Sequence, residues 1–384
     1  STILEYAVSS RASDVHIEPQ EDRIRVRYRI DGILYDRLSL PKSVQDAVIS
    51  RIKILSDMKI DEHRTPQDGR FNFKVDKEEA DLRISVMPTT FGEKIVMRLL
   101  RKSSGIPTLP ELGLNGTSLK NLESAILRPH GIIIVCGPTG SGKTTTLYAI
   151  LEKLNTTRVN IMTLEDPVEY QMQGVNQVQI NPGVGLTFAT GLRSFLRQDP
   201  NIVLVGEIRD TETTELAVQA SLTGHLVFST LHTSDAAGAI PRLTDLGAEP
   251  FLLSSTLNAV VGQRIVRRVC PTCKEAYSPL RQIVDEMRKV LGQLFPQGNG
   301  SEIKLYKGKG CDKCADSGYL GRVGIYEVFP ISTKLSNLIL EHPGSAAVQK
   351  EALAEGMITM KQDGYMKVIA GITTPEEVIR VAQE

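Results

Sequence analysis

The octapeptide Gly137-Pro138-Thr139-Gly140-Ser141-Gly142-Lys143-Thr144 constrains this chain more than any other feature. It matches Gly-x4-Gly-Lys-Thr, a pattern whose glycines let backbone amides close around phosphate oxygens. The closure needs a strand that delivers the loop and a helix whose positive end faces the anion. Both flanks are present. Ile132-Ile133-Ile134-Val135 is a short apolar run that reads as a fully buried strand, and Leu147, Ile150, Leu151 and Leu154 recur behind the loop at helical spacing. In such a loop Lys143 reaches the β- and γ-phosphates, and the Thr144 hydroxyl is placed to ligate Mg²⁺. With Thr145 on the first turn of the helix, these residues are the expected nucleotide-binding set for ATP or GTP.

A phosphate loop of this kind needs an α/β sheet around it. From about Leu112 the chain alternates short apolar segments, 160–164, 202–205 and 226–230, with helical patterns. Segments so short, apolar and free of alternation predict parallel strands covered on both faces. Nucleotide hydrolysis also needs carboxylates near the γ-phosphate, and open α/β sheets place their ligands at the carboxyl ends of strands. Two acids are expected there. Glu165 lies in Thr163-Leu164-Glu165-Asp166-Pro167-Val168-Glu169, and Glu207 ends the strand Ile202-Val203-Leu204-Val205-Gly206-Glu207. Either could hold Mg²⁺ or orient the attacking water. His232, just past the strand at 226–230, is expected at the same edge as a sensor of the γ-phosphate. His225 reads as structural.

Cys270-Pro271-Thr272-Cys273 and Cys311-Asp312-Lys313-Cys314 form two Cys-x2-Cys pairs. Two such knuckles present four thiolates, which complete a tetrahedral Zn²⁺ site with no open position, so the expected role is structural. The insert between them carries Gly292, Gly298 and Gly300 and reads as a mobile excursion in a loop-rich stretch from 264 to about 330. Cys136, inside the strand before the phosphate loop, reads as a small core residue.

Length and composition set the outer bounds. A chain of 384 residues exceeds what one core usually serves. Residues 1–100 read as an α+β domain: Ile24, Val26, Tyr28 and Ile30 alternate with arginines, Asp31-Gly32 makes a hairpin turn, and a helix from about Pro41 shows Val44, Val48, Ile52 and Leu55. Further strands run through Phe71, Phe73 and Val75, and through Ala80, Leu82, Ile84 and Val86. A linker is expected at 101–110, the nucleotide domain at 111–265, the cysteine subdomain at 266–330 and helices at 331–384, with Val348, Leu353, Met357, Val378 and Ile379 in their core. Lys plus Arg equals Asp plus Glu at 45 each, which weighs against a nucleic-acid translocase. No apolar run approaches the roughly 20 residues of a membrane span, so a cytosolic chain is expected. The start at Ser1 leaves room for an upstream segment.

The combination resembles the type II secretion and type IV pilus assembly (extension) ATPases. Their phosphate loop, acidic box, atypical strand ending in Gly-Glu, histidine box and tetracysteine motif correspond here to 137–144, 163–169, 202–207, 221–233 and the four cysteines. The resemblance runs from Ser13-Asp14-Val15-His16-Ile17-Glu18-Pro19 to the C-terminal helices. It implies a RecA-like nucleotide domain with a smaller PAS-like N-terminal domain, ATP as the nucleotide with Mg²⁺ and Zn²⁺, and a cytoplasmic homo-hexamer. That ring would work at the inner face of the membrane beside a platform protein, without direct nucleic-acid contact. It also implies that Arg83 and Arg98 approach the phosphates, with Arg193, Arg197 and Arg209 as weaker candidates. The family's further N-terminal, platform-docking domain finds no match in these residues. Retraction motors of pili share the loop and both boxes but generally lack the four cysteines, and a RecA-like translocase or a regulatory nucleotide switch are the remaining alternatives.

Overall fold

A computed structural model describes residues 2–75, 78–101, 105–296 and 303–382. Within it the expected Gly298 and Gly300 of the insert, and 102–104 of the linker, lie outside the described residues. Contacts divide the chain into Ser1–Gly105 and Ile106–Glu384.

The first unit runs α1 (Thr2–Ser9), β1 (Asp14–Pro19), β2 (Arg23–Ile30), β3 (Ile33–Pro41), α2 (Gln45–Leu55), β4 (Gln67–Val75), β5 (Glu78–Thr89) and β6 (Gly92–Arg101). Its six strands pair antiparallel in the order β3-β2-β1-β6-β5-β4. Period-two alternation puts Ile24, Val26, Tyr28, Leu82, Ile84 and Val86 on one face, where α1 and α2 cover them. Asp31 and Gly32 both take positive φ (47° and 87°) between β2 and β3, the twist a two-residue hairpin needs. The α2 stripe differs from the expected one: Val44 and Leu55 are exposed, while Ile49, Ile52 and Lys53 are buried. The helix begins only at Gln45, and the buried Lys53 ammonium pairs with Glu93 at 2.6 Å, so a charged residue occupies a core-facing turn. Arg27, Arg25 and Lys94 surround Glu18 at 2.7, 3.0 and 3.2 Å. Burial opposes ionisation of Glu18, but hydrogen bonds from Arg27 and Lys94 hold its pKa down at about 2.

The second unit contains α3 (Gly116–Ile126), β7 (Gly131–Cys136), α4 (Lys143–Leu154), β8 (Ile161–Glu165), β9 (Val175–Gln179), α5 (Phe188–Phe195), β10 (Ile202–Val205), α6 (Thr211–Leu222) and β11 (Leu226–Leu231). It continues with α7 (Ala239–Asp245), α8 (Pro250–Thr256), β12 (Leu257–Val269), β13 (Lys274–Tyr277), α9 (Arg281–Leu291), β14 (Leu305–Gly308) and β15 (Tyr319–Pro330), and ends with α10 (Thr333–Leu340), α11 (Ser345–Ala354), α12 (Met360–Ile369) and α13 (Pro375–Ala382). Seven strands form one sheet in the order β15-β12-β7-β11-β10-β8-β9. The pairs from β12 through β9 are parallel, and β15 runs antiparallel to β12.

Both faces of this sheet are covered, which explains its unbroken apolar strands. Ile132, Ile134, Val203, Val205 and Val227 point to one side, against α5, α6, α7, α8, α10 and α11. Ile133, Val135, Leu204, Leu226 and Phe228 point to the other, against α3 and α4. The stretch from 264 to 330 departs from the loop-rich expectation. It holds the end of β12, all of β15 and the small β13–β14 ladder, and the expected boundary at 265/266 falls inside β12. Gly262 and the polar Gln263, Arg264 and Glu327 interrupt those apolar runs and hide them from periodicity. Leu353, expected in the core, is exposed, because Val348 and Ala352 form the inward row of α11. Among the described residues no helix is long and apolar enough to cross a membrane.

Phe228 sits fully buried on the central strand β11. Phe228→Ala should therefore cost about 3–5 kcal/mol, read from urea unfolding followed by circular dichroism; a loss below about 1 kcal/mol would contradict this packing.

Candidate nucleotide site and four-thiolate centre

The loop between β7 and α4 is built by close approach. Gly137 has φ +150°, and a Cβ there would stand 2.5 Å from the Gln263 carbonyl of β12 and 2.7 Å from Ser141 Oγ. Only glycine fits that corner. Gln263 backs the loop a second time, its side-chain amide donating to the Ser141 carbonyl. The Ser141 hydroxyl is buried with no hydrogen-bond partner among the described residues, a donor of the kind that an anion in this cradle would satisfy. Pro138, Thr139, Gly140, Thr144 and Thr145 are partly or fully exposed along the rim.

Lys143 opens α4 and is only 9% exposed. Its ammonium donates to the carbonyls of Gly137 at 2.8 Å and Pro138 at 3.1 Å. Burial lowers its pKa, and the Glu207 carboxylate works in the opposite direction. Glu207 follows the end of β10. One of its oxygens meets Arg209 at 2.6 Å and the other lies 3.5 Å from His232 Nε2, just beyond β11. Burial, then the Lys143 charge, push the His232 pKa down against the pull of Glu207, so the imidazole favours its neutral form. Lys143, Glu207 and His232 thus share one electrostatic neighbourhood at the carboxyl edge of the sheet.

Glu165 does not join them. It is buried at the end of β8, and both its oxygens are taken. Oε2 accepts from the Tyr148 hydroxyl of α4, and Oε1 accepts from Thr163 Oγ1 at 2.6 Å and Gln177 Nε2 at 3.1 Å. The Tyr148 oxygen in turn accepts from the Glu169 amide at 3.3 Å. Burial and the Glu165 carboxylate push the Tyr148 phenol's pKa up. Of the two acids, only Glu207 contributes to the charge environment of Lys143.

Each of the remaining candidates has its own local partners. Arg83 and Arg98 are register partners on β5 and β6 of the first unit, and Arg98 donates to Asp14 at 3.0 Å. Arg193 pairs with Glu212, and Arg197 donates to the Arg193 carbonyl at 2.9 Å. His225 Nδ1 sits 2.8 Å from the Ala220 carbonyl in a local turn. Cys136 is fully buried, and burial raises its thiol pKa to about 12. Sequence reading missed Tyr148, Gln177, Gln263 and Glu327. The signal for the last two was a polar side chain breaking an apolar run, which a buried strand tolerates only when the group is satisfied.

Cys270, Cys273, Cys311 and Cys314 come together at the ends of β12 and β14, all sulfurs within 4.8 Å of one another. Individual separations are 3.9, 3.8 and 3.6 Å. A tetrahedral ion about 2.3 Å from each thiolate requires edges of about 3.8 Å, whereas a disulfide needs about 2.05 Å. The quartet fits a metal.

Comparison with known proteins follows the same lines. Residues 1–380 match the family described as Type II/IV secretion system protein. The chain is 47% identical over 378 residues to the type IV pilus assembly ATPase PilB of Myxococcus xanthus, covering 98% of this chain and 66% of that protein. It is 48% identical over 384 residues to the type II secretion system protein E of Dickeya dadantii, covering 100% and 75% respectively. The chain thus spans only 66% to 75% of these relatives' length. In fold it resembles the X-ray structure of the Legionella pneumophila ATPase DotB, with TM-score 0.71 at 22% identity over 99% of this chain and 94% of that one. The crystal structure of the pilus retraction motor PilT with bound ADP gives TM-score 0.65 at 28% identity, covering 100% and 96%. These likenesses agree with the expected α/β, RecA-like architecture, and the match over almost its whole length means that the chain belongs to the type II/IV secretion system protein family.

Proposed function

We propose that this chain is the catalytic part of a cytoplasmic hexameric ATPase that hydrolyses ATP to power assembly of type IV pili or of the type II secretion pseudopilus. The observation that carries this reading is the grouping of Lys143, Glu207 and His232 behind a complete phosphate loop. The names of relatives at 47% and 48% identity over nearly all of the chain support it. The ring sits at the inner face of the membrane, coupled to a platform protein of the same machine. The PilT likeness reflects shared machinery, while the four thiolates side with assembly.

Bound ATP with Mg²⁺ supplies the reacting phosphoryl group and a counter-charge for it. The Gly137-to-Thr145 loop holds the phosphates, and Lys143 exchanges two carbonyl partners for phosphate oxygens. Thr144 and Glu207 are the metal-holding pair. Glu207, with side-chain access of 12% and a neutral His232 beside it, orients the attacking water. Glu165, with both oxygens engaged, instead holds β8, α4 and β9 together. The four cysteines bind a structural Zn²⁺.

Two outcomes test this. Lys143→Ala should lose nucleotide binding, and Glu207→Gln should keep it while ATP turnover falls by roughly 10²–10³-fold; normal hydrolysis by both variants would end the reading. Deleting the gene, scored for surface pili and secreted enzymes, separates the two machines. For the metal, elemental analysis should find about one zinc per chain, and Cys270→Ser should lower both metal content and melting temperature. Metal-free protein with an unchanged melting temperature would sink the zinc assignment.

A further inference from the structure

Glu327 lies in the middle of β15 and is almost wholly buried, with no part in the site so far described. Its Oε1 accepts the Ala236 amide at 2.6 Å, and its Oε2 accepts the Met360 amide at 3.3 Å. Ala236 ends the segment that follows His232, and Met360 is the first residue of α12. One carboxylate therefore joins the histidine loop to the amino end of a C-terminal helix, where a negative charge also meets the helix dipole favourably.

The loop beyond His232 is held residue by residue. Arg264 donates to the Ser234 carbonyl at 3.0 Å. The Asp235 carbonyl accepts from Thr233 Oγ1 at 2.8 Å and the Cys136 thiol at 3.3 Å. The Asp235 carboxylate accepts the Gly238 amide at 2.7 Å. Glu327 is the only carboxylate from another strand in this set, and β12 makes room for it: a Cβ at Gly262 would stand 2.8 Å from Glu327 Cγ and 3.0 Å from the Ala236 nitrogen. We propose that Glu327 is a positioning residue, which sets His232 for hydrolysis by pinning its loop against the amino end of α12.

The energetics point the same way. Burial raises the Glu327 pKa, with Asp235 adding to the rise and the two amides and Arg264 opposing it; the Cys136 thiol is the other titratable group facing it. A raised folded-state value means that stability present at low pH is lost as pH rises through it. Burial thus disfavours the charged form of Glu327, while each of its two oxygens is committed to a backbone amide of a different segment.

The proposal rests on the ATPase reading, and its test separates the two. In the full chain, Glu327→Gln puts an amide donor where one backbone amide needs an acceptor. The melting temperature should shift by less than about 4 °C, and KM for ATP should stay within about twofold. The kcat should fall roughly ten- to a hundredfold, and the Ala236 amide should exchange with solvent roughly tenfold faster. Unchanged kcat overturns the proposal, as does unchanged exchange at Ala236, or a kcat loss that merely follows a collapsed melting temperature. Should that variant not fold, Glu327→Met removes both acceptors at similar volume and is read by the same outcomes. A wild-type chain that turns over no ATP would strike at the assigned activity, while exchange at Ala236 in the variant would still decide whether Glu327 holds the loop.

Discussion

A buried ammonium organises the second unit. Lys143 stands at the junction of β7 and α4 with little access to water, and a charge so placed is tolerable only if its protons have acceptors and a counter-charge lies near. The acceptors are carbonyls of the loop itself, and the counter-charge comes from Glu207 one strand beyond β11. Both partners demand that β7, β10 and β11 end at the same level. Parallel pairing with matched registers, Ile134 beside Ser229 and Ser229 beside Val205, provides that level. The phosphate loop, the Glu207 turn and the histidine loop are therefore consequences of one sheet edge, and that edge is fixed by the apolar packing beneath it.

The same edge separates two acids that look equivalent in sequence. Each follows a buried strand, yet Glu165 turns towards α4 and is saturated by Tyr148, Thr163 and Gln177. Glu207 keeps company with Arg209 and the neutral His232, both substantially exposed. A carboxylate whose lone pairs are already committed to buried donors costs too much to redirect, since each abandoned donor would be left unsatisfied. Glu165 is thus tied into the packing of β8, α4 and β9, whereas Glu207 stays among the groups of the sheet edge. The difference arises from a tyrosine on a neighbouring helix.

That contrast marks what could be read from the sequence. The phosphate loop and the strands at β7, β8, β10 and β11 were legible because glycine spacing and unbroken apolar runs are local signals. The cysteine quartet was equally legible, since knuckle spacing carries its own geometry. β12 and β15 were not, because Gly262-Gln263-Arg264 and Glu327 break their hydrophobic pattern, and each break is explained only by a contact distant in sequence. The α2 stripe was misjudged for a related reason: the buried Lys53 answers Glu93 on β6, forty residues away. Side-chain direction at a strand end is likewise set by what packs there, so the fate of Glu165 had no local signature.

The thiolate centre gains meaning from the strands that it joins. Cys270 directly follows β12, and the turn carrying Cys311 and Cys314 leads into β15. Between them run β12 and β15, paired from Ala259 beside Pro330 to Val269 beside Tyr319, with one register shift near the cysteine end. Gln263, which backs the phosphate loop, lies on the first strand, and Glu327, which holds the histidine loop, lies opposite Gly262 on the second. A one-residue slip of β15 against β12 would turn Glu327 away from Ala236. A metal held by the four convergent sulfurs would close the far end of the ladder and make such a slip costly. The four sulfurs and the contact that Glu327 makes with the histidine loop, though at different places on the sheet, therefore depend on a single register.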